Sequence, residues 1–544
     1  MSAATILIAA FLVFGLAMPL VVMLAKSFQD TNGTFVGLAN YATYFASSAP
    51  LVSIGHTLFI AIASTAVTIP LAFAFAYGIN RSCMPGKGIF RTVALVPLLT
   101  PSLLFALSLV QLFGNQGMLK DLLFGHTIYG PIGIVAGMTF AHFPHTFIVI
   151  STALSLADRR LYEAAESMGT SRMRKFFTLT LPGAKYGLIS ASIVSLMLSI
   201  TDFGIPKVIG GQYNVLATDI YKQVIGQQNF ELGAVVSVVL LVAAVLAFAF
   251  VRLVHHKQVA MMSTRAIPYE PRPHTAFDTI MFVYCAAIAV AIVGVIAVAA
   301  VSSFIRFWPY NLSLTLRHYN FDLAAGGGWQ AYRNTLELAA WTAILGTAIS
   351  FLGAYLVEKS RGMQRTRQLI QVLAVTPMAV PGLVLGLAYI FFFNKPGNPL
   401  SFLYGTMGIL VLVTIIHYYS VTHFTMLTAL KQIDGDFESV SDSLKAPRYR
   451  TMWRVTVPLC MPAILDVSIY YFLGAMTTVS AVVFLYSTQT SLASIAVLNM
   501  DDAGEYAQAT AMAMVIVATC IVARIVHYFL TRGIHRRSQA WRIA

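Results

Sequence analysis

An all-α polytopic membrane protein, with twelve transmembrane helices in two tandem six-helix halves, is the fold class this sequence predicts. Three observations predict it. Of 544 residues, 58% are hydrophobic and only 10% charged, more apolar surface than a water-facing globule can hide. Apolar windows of about 20 residues, the length that crosses ~30 Å of hydrocarbon, can be placed twelve times along the chain. Matching residues then recur in the same order at a separation of 275 to 280 positions, which unrelated apolar sequence would not sustain.

The windows run near 4–25, 52–79, 90–113, 130–155, 184–203, 231–254, 276–304, 334–357, 368–393, 405–430, 460–485 and 506–531. The first has no Lys or Arg before it and no small-residue cleavage site after it, so it is read as a span and not as a leader. Thr57-Leu58 at the head of the second window answers Thr335-Leu336 at the head of the eighth. Pro97 and Pro101 in the third answer Pro377 and Pro381 in the ninth, and His142 in the fourth answers His417 in the tenth. Gly133 with Gly408, Asp158 with Asp434, Pro182 with Pro458 and Leu216-Ala217 with Leu492-Ala493 continue the series. The chain therefore divides into a first repeat, 1–255, a polar cytosolic linker, 256–275, and a second repeat, 276–544. An even number of spans per half gives both copies the same orientation, related by a pseudo-two-fold along the membrane normal.

The formal charge of +14 is distributed in a way that excludes nucleic acid as its reason. With the amino terminus inside, 27 of the 35 Lys and Arg fall on the cytosolic side and 8 on the other, the pattern that orients membrane proteins. Both termini are then cytosolic. Cys83, Cys285, Cys460 and Cys520 have neither CxxC spacing nor a His companion, so no disulfide framework or metal site is read from them. Pro85-Gly86-Lys87-Gly88 lacks the leading Gly and the Ser or Thr of a phosphate-binding loop.

One polar stretch stands out against this background. Between the fourth and fifth windows, over about 157–183, lie Glu163-Ala164-Ala165, then Gly169 six residues after the Glu, then Leu181-Pro182. Arg159, Arg160, Arg172, Arg174 and Lys175 surround them. Leu161, Ala164, Ala165 and Met168 have the spacing of an amphipathic helix, with Gly169 as a hinge that tolerates positive φ. This pattern resembles the EAA loop of importer-type ABC transporter permeases, whose coupling helix docks on a separate ATPase. The resemblance covers nearly the whole chain. It implies two ATP-binding subunits on the cytosolic side, a substrate-binding protein on the outer side and a bacterial cytoplasmic membrane location. It implies no cofactor on this chain, with ATP and Mg in the partner, and no enzymatic activity of its own.

The second copy of the loop, about 432–458, is degenerate: aligned on Pro458, Ser439 stands for the Glu and Lys445 for the Gly, with Asp442 and Leu444 between them. Unequal coupling is the expectation. For the solute, Phe113-Gly114-Asn115-Gln116-Gly117 and Val497 to Gly504 look most like permeases assigned to 2-aminoethylphosphonate uptake, with ferric-iron permeases as the alternative. An ion-coupled secondary transporter also has parallel six-span halves, but needs a coupling-ion site that few buried carboxylates here could form.

Ionisable groups within spans cost enough to need a reason, ~2.5–3.5 kcal/mol on insertion scales. His142 and His417 are read as donors facing a central path across the pseudo-axis, with packed histidines as the alternative. Asp202, beside Gly204 and Pro206, marks a helix interruption that either borders a transport site or caps a span. Pro97, Pro101, Pro377 and Pro381 are read as paired kinks beside the path or as merely structural ones.

Overall fold

The computed structural model describes residues 2–259, 267, 269–322, 324–360, 362–434 and 436–543. Of the linker read over 256–275, residues 260–266 and 268 thus lie outside the described residues. The first half contains α1 (Ser2–Lys26), α2 (Ala49–Arg81), α3 (Lys87–Leu99), α4 (Ser102–Phe113), α5 (Pro131–Ser155), α6 (Arg159–Ser167), α7 (Arg172–Thr201), α8 (Gly204–Ile209), α9 (Leu216–Tyr221) and α10 (Phe230–Phe250). The second half follows the same order without a counterpart of α8, with α11 (Thr275–Phe304), α12 (Gly328–Lys359), α13 (Gln364–Ala379), α14 (Gly382–Phe393), α15 (Met407–Lys431), α16 (Asp436–Ser443), α17 (Arg448–Thr477), α18 (Ala493–Asp502) and α19 (Tyr506–Gly533). A small antiparallel hairpin, β1 (Ile305–Phe307) with β2 (Asn311–Leu314), follows α11.

The third and ninth windows are not straight spans. Helices α3 and α4 meet at 100°, and α13 and α14 at 118°. Among the described residues, ten helices are long and apolar enough to cross a membrane, and twelve if each bent pair is one span. The cause is local. Pro101 and Pro381 have no N–H to give an intrahelical bond, and their rings drive the preceding Thr100 and Val380 into extended backbone (ψ 139° and 116°).

The eleventh window also differs. Its helix ends at Thr477, where Thr478 turns extended, and Val479 to Leu485 continue as buried turns. A continuous apolar run has no period to separate buried helix from buried coil, which is why hydropathy extends the span to 485. In the first half the chain breaks likewise at Asp202, then re-forms as α8.

Each half is a bundle in which α2, α5 and α7, or α12, α15 and α17, pack on one another. The first helix of each half crosses to the other. Helix α1 rests mainly on α12, α13 and α14, while α11 returns the exchange on α2, α3 and α4. Within α1 the turn Val13–Ala17 is π-helical, which takes its carbonyls out of the regular ladder. The Tyr389 hydroxyl of α14 donates to the Gly15 carbonyl at 2.6 Å, and a Cβ on Gly15 would stand 3.2 Å from Ile416 Cδ1.

Matched positions make matched bonds. Thr57 Oγ1 accepts from the Leu216 N–H at 2.9 Å, and Thr335 Oγ1 from the Ala493 N–H at 2.7 Å. The structural register here pairs Leu216 with Ala493, one residue on from the sequence alignment of Leu216 with Leu492. Each bond fixes the start of the short helix α9 or α18 against the head of a long span.

Candidate functional site: two helical hairpins and a buried polar pair

Helix α6 and the start of α7 form a hairpin at the end of the α5–α7 pair, and α16 and the start of α17 form its counterpart. Asp158 caps α6 by accepting from the Arg160 N–H at 3.0 Å; Asp434 accepts likewise from the Asp436 N–H at 3.1 Å. The bond from Arg160 holds the Asp158 carboxyl below the usual carboxylate range. Both first helices stop in the same way. Gly169 has φ +67° and Lys445 φ +51°, and the bonds from the Thr170 N–H to Ala165 O and from the Ala446 N–H to Ser441 O are both 3.0 Å. Lys445 thus holds a left-handed conformation in which its Cβ is strained, and the degenerate loop keeps the backbone of the first.

The second helix of each hairpin passes through a π-helical turn, Phe176–Thr180 or Met452–Thr456, just before Leu181-Pro182 or Val457-Pro458. The wider turn accommodates a proline that cannot donate into the i→i−4 ladder. Both hairpins expose apolar side chains: Leu161, Met168 and Met173 on the first, Val440, Leu444, Tyr449 and Trp453 on the second. Beside Val440 and Leu444 lies an open groove of about 600 Å³, also lined by Phe437, Arg450 and Arg454. Ala164, Pro182, Ser439 and Pro458 are exposed, Leu181 is half-buried, and Ala165 is buried. Asp442 lies on α16.

The opposite face of α6 is ionic. Arg159 Nε meets Glu163 Oε1 at 2.7 Å, and Lys175 Nζ meets Glu166 Oε1 at 2.9 Å. The Lys175 bond holds the Glu166 carboxyl low. Beneath it, the buried Arg81 guanidinium lies over the Tyr162 ring at 4.9 Å and donates to Leu154 O at 3.1 Å. Sequence reasoning passed over Arg81. Its counterpart at the same repeat spacing is Lys359, whose Nζ meets Glu438 Oε1 at 2.9 Å and Ile433 O at 3.2 Å, so a basic residue ending a span in both repeats was the available signal.

Within the membrane, His142 on α5 is buried, with Nδ1 3.3 Å from Ser199 Oγ and Nε2 3.7 Å from Asp202 Oδ2. Ser199 Oγ continues to Ser64 Oγ at 2.8 Å. All these partners belong to the first half. The half-buried His417 packs edge-on to the Tyr418 ring, centroids 4.8 Å apart, and no described contact joins the two histidines. Asp202 is the residue at which α7 ends, so it both terminates the helix and meets His142. Pro97 and Pro377 sit in buried 3₁₀ turns, one turn before the breaks at Pro101 and Pro381.

Contacts between halves also gather at the end away from the hairpins. Lys207 Nζ of α8 meets Asp502 Oδ1 of α18 at 2.7 Å and lies 5.1 Å from the Tyr221 ring, which stacks on Phe484. Burial, then the neighbouring Asp502 carboxylate, push the Asp501 carboxyl up to about 7.

Two tandem helical bundles with exchanged first helices, each carrying a hairpin with an exposed apolar face, define a membrane transport subunit, not an enzyme. The chain belongs to the binding-protein-dependent transport system inner membrane component family, whose model matches residues 69–259 and again 346–536. It is similar to the "Ferric transport system permease protein FbpB" of Actinobacillus pleuropneumoniae, 26% identical over 480 residues, 85% of this chain and 69% of that one. The "Putative ferric transport system permease protein FbpB 1" of Haemophilus influenzae is 27% identical over 440 residues, 78% of this chain and 68% of that one. A second H. influenzae relative, "Fe(3+)-transport system permease protein FbpB 2", is 22% identical over 469 residues, covering 85% and 87% of the two chains.

Proposed function

We propose that this chain forms the translocation path of an ATP-driven importer, with two ATP-binding subunits docked on its hairpins and a substrate-binding protein at the opposite mouth. The observation that carries this reading is the pair of hairpins: two copies, matched in cap, left-handed stop and π-helical turn, each baring an apolar face flanked by arginines. A buried apolar contact with a charged rim is what a stable subunit interface asks for. The excess of Lys and Arg on the hairpin side, 27 of 35, supports reading that side and both termini as cytosolic in a bacterial cell.

For the cargo, ferric ion is the reading better supported than a phosphonate. The relatives that span most of the chain carry ferric names. Ferric ion is a hard cation that favours oxygen ligands, and the mouth away from the hairpins carries Asp501 and Asp502 with Tyr129 and Tyr506 as electrostatic neighbours. Of the two histidines that a phosphonate path would draw on, His142 is already engaged with Asp202 and Ser199. The test is uptake into vesicles by the complex reconstituted with its ATP-binding and substrate-binding subunits, offered ferric ion or 2-aminoethylphosphonate. ATP-dependent accumulation of iron alone is expected; accumulation of the phosphonate alone would reverse the cargo assignment.

A further inference from the structure

The two halves repeat each other, but only one segment joins them, and its described end lies on the first coupling hairpin. The Ile267 carbonyl accepts from the Arg159 N–H at 2.9 Å, at the start of α6. Glu270 Oε2 meets Arg159 Nη1 at 2.7 Å, and Arg272 Nη1 meets Glu166 Oε2 at 2.8 Å, so the segment grips both ends of the helix. Between them the Tyr269 ring packs on Tyr162, centroids 4.7 Å apart, and closes over the Arg81 guanidinium at 4.2 Å. Pro271 O accepts from Cys83 Sγ at 3.3 Å, tying the same segment to the turn after α2.

Which face is gripped matters. Positions 159, 162, 163 and 166 share one side of a helix by their i, i+3, i+4 and i+7 spacing, while 161, 164 and 168 share the opposite side. The segment lies against the first set and leaves Leu161 and Met168 bare. It therefore backs the helix without covering the face offered to a partner.

We propose that Tyr269, Glu270 and Arg272 are positioning residues of a brace that holds α6 in its docking orientation, so that the two coupling hairpins are mechanically unequal. The proposal rests on the reading of the hairpins as ATPase-docking elements. The inequality follows from connectivity: a duplicated permease has two hairpins and one inter-repeat segment. At the position where the first hairpin has Arg81 enclosed by two tyrosine rings, the second has Lys359, paired with Glu438 and bonded to the Ile433 carbonyl. The hairpin that carries Glu163-Ala164-Ala165 with Gly169 is the braced one.

The test uses the full chain in lipid nanodiscs and reads amide hydrogen exchange of Tyr162 to Ser167 against that of Glu438 to Ser443. Tyr269→Ala removes one of the two rings around Arg81 and should speed exchange in α6 by about threefold or more, with α16 unchanged. Tyr269→Phe keeps the ring and should behave as the unmodified chain. Glu270→Ala with Arg272→Ala should give a smaller acceleration, since these pairs are exposed. Unchanged exchange in α6 for Tyr269→Ala, or equal acceleration in both hairpins, would overturn the brace. In the assembled complex the same Tyr269→Ala should lower the amount of solute moved per ATP, with Tyr269→Phe unaffected. If the exchange result holds while no ATP-binding subunit associates with either hairpin, the coupling reading fails and the brace stands as a structural element only.

Discussion

At Lys445 a long, exposed side chain occupies the left-handed turn that Gly169 occupies in the other repeat. An L-residue there brings its Cβ against the neighbouring carbonyl, at a cost of about 1 kcal/mol that glycine avoids. Lys445→Gly should therefore stabilise the second hairpin by about 1 kcal/mol, less the chain entropy glycine adds to the unfolded state. Slower amide exchange over Glu438 to Ser443 would show it, and faster exchange would mean that the lysine makes a compensating contact. Asp202 and His142 present a different economy at the same scale. A carboxylate ending a helix inside an apolar bundle needs a partner, and an imidazole on the neighbouring span supplies one at 3.7 Å. The spacing of the two residues along the chain gives no hint of this, because they lie on different helices and meet only after α5 and α7 pack.

Helix α1 makes a polar contact with the other half at Gly15, and the proline one turn on makes it possible. Pro19, four residues on from Gly15, has no N–H to give, so the Gly15 carbonyl is left to accept from Tyr389, and an irregularity in one half becomes a bond to the other. Tyr389→Phe keeps the ring and loses the bond, which should cost about 1 kcal/mol. The expected readout is faster amide exchange in Leu16 to Leu20 with exchange in α5 unaltered; no change in α1 would mean that packing against Ile416 alone holds the turn. The prolines work on a larger length. Pro101 and Pro381 convert two apolar windows into bent pairs, and the sequence signals the interruption but not its angle. A missing N–H and a ring clash are local and legible, whereas 100° or 118° is set by what the second helix packs against.

The exchange of α1 and α11 gives the whole molecule a consequence that its tandem sequence hides. Each half completes its bundle with a helix from the other, so neither buries its apolar surface alone. Residues 1–255 and 256–544 expressed as separate chains in one cell should co-purify and restore transport, while either alone should be degraded. Stable accumulation of one half by itself would show that the exchanged helices are peripheral. The duplication, the hydrophobic windows and the paired hairpins are legible without coordinates because they depend on period, length and local backbone preference, which neighbouring residues decide. Gly169, Asp158 and the Leu181-Pro182 step belong to that class. The swap of first helices, the meeting of His142 with Asp202, the enclosure of Arg81 by Tyr162 and Tyr269 and the bridge from Lys207 to Asp502 do not. Each joins residues far apart in the chain, and such contacts follow from which helix faces pack together, a choice that hydrophobic pattern leaves open when every face of a span is apolar.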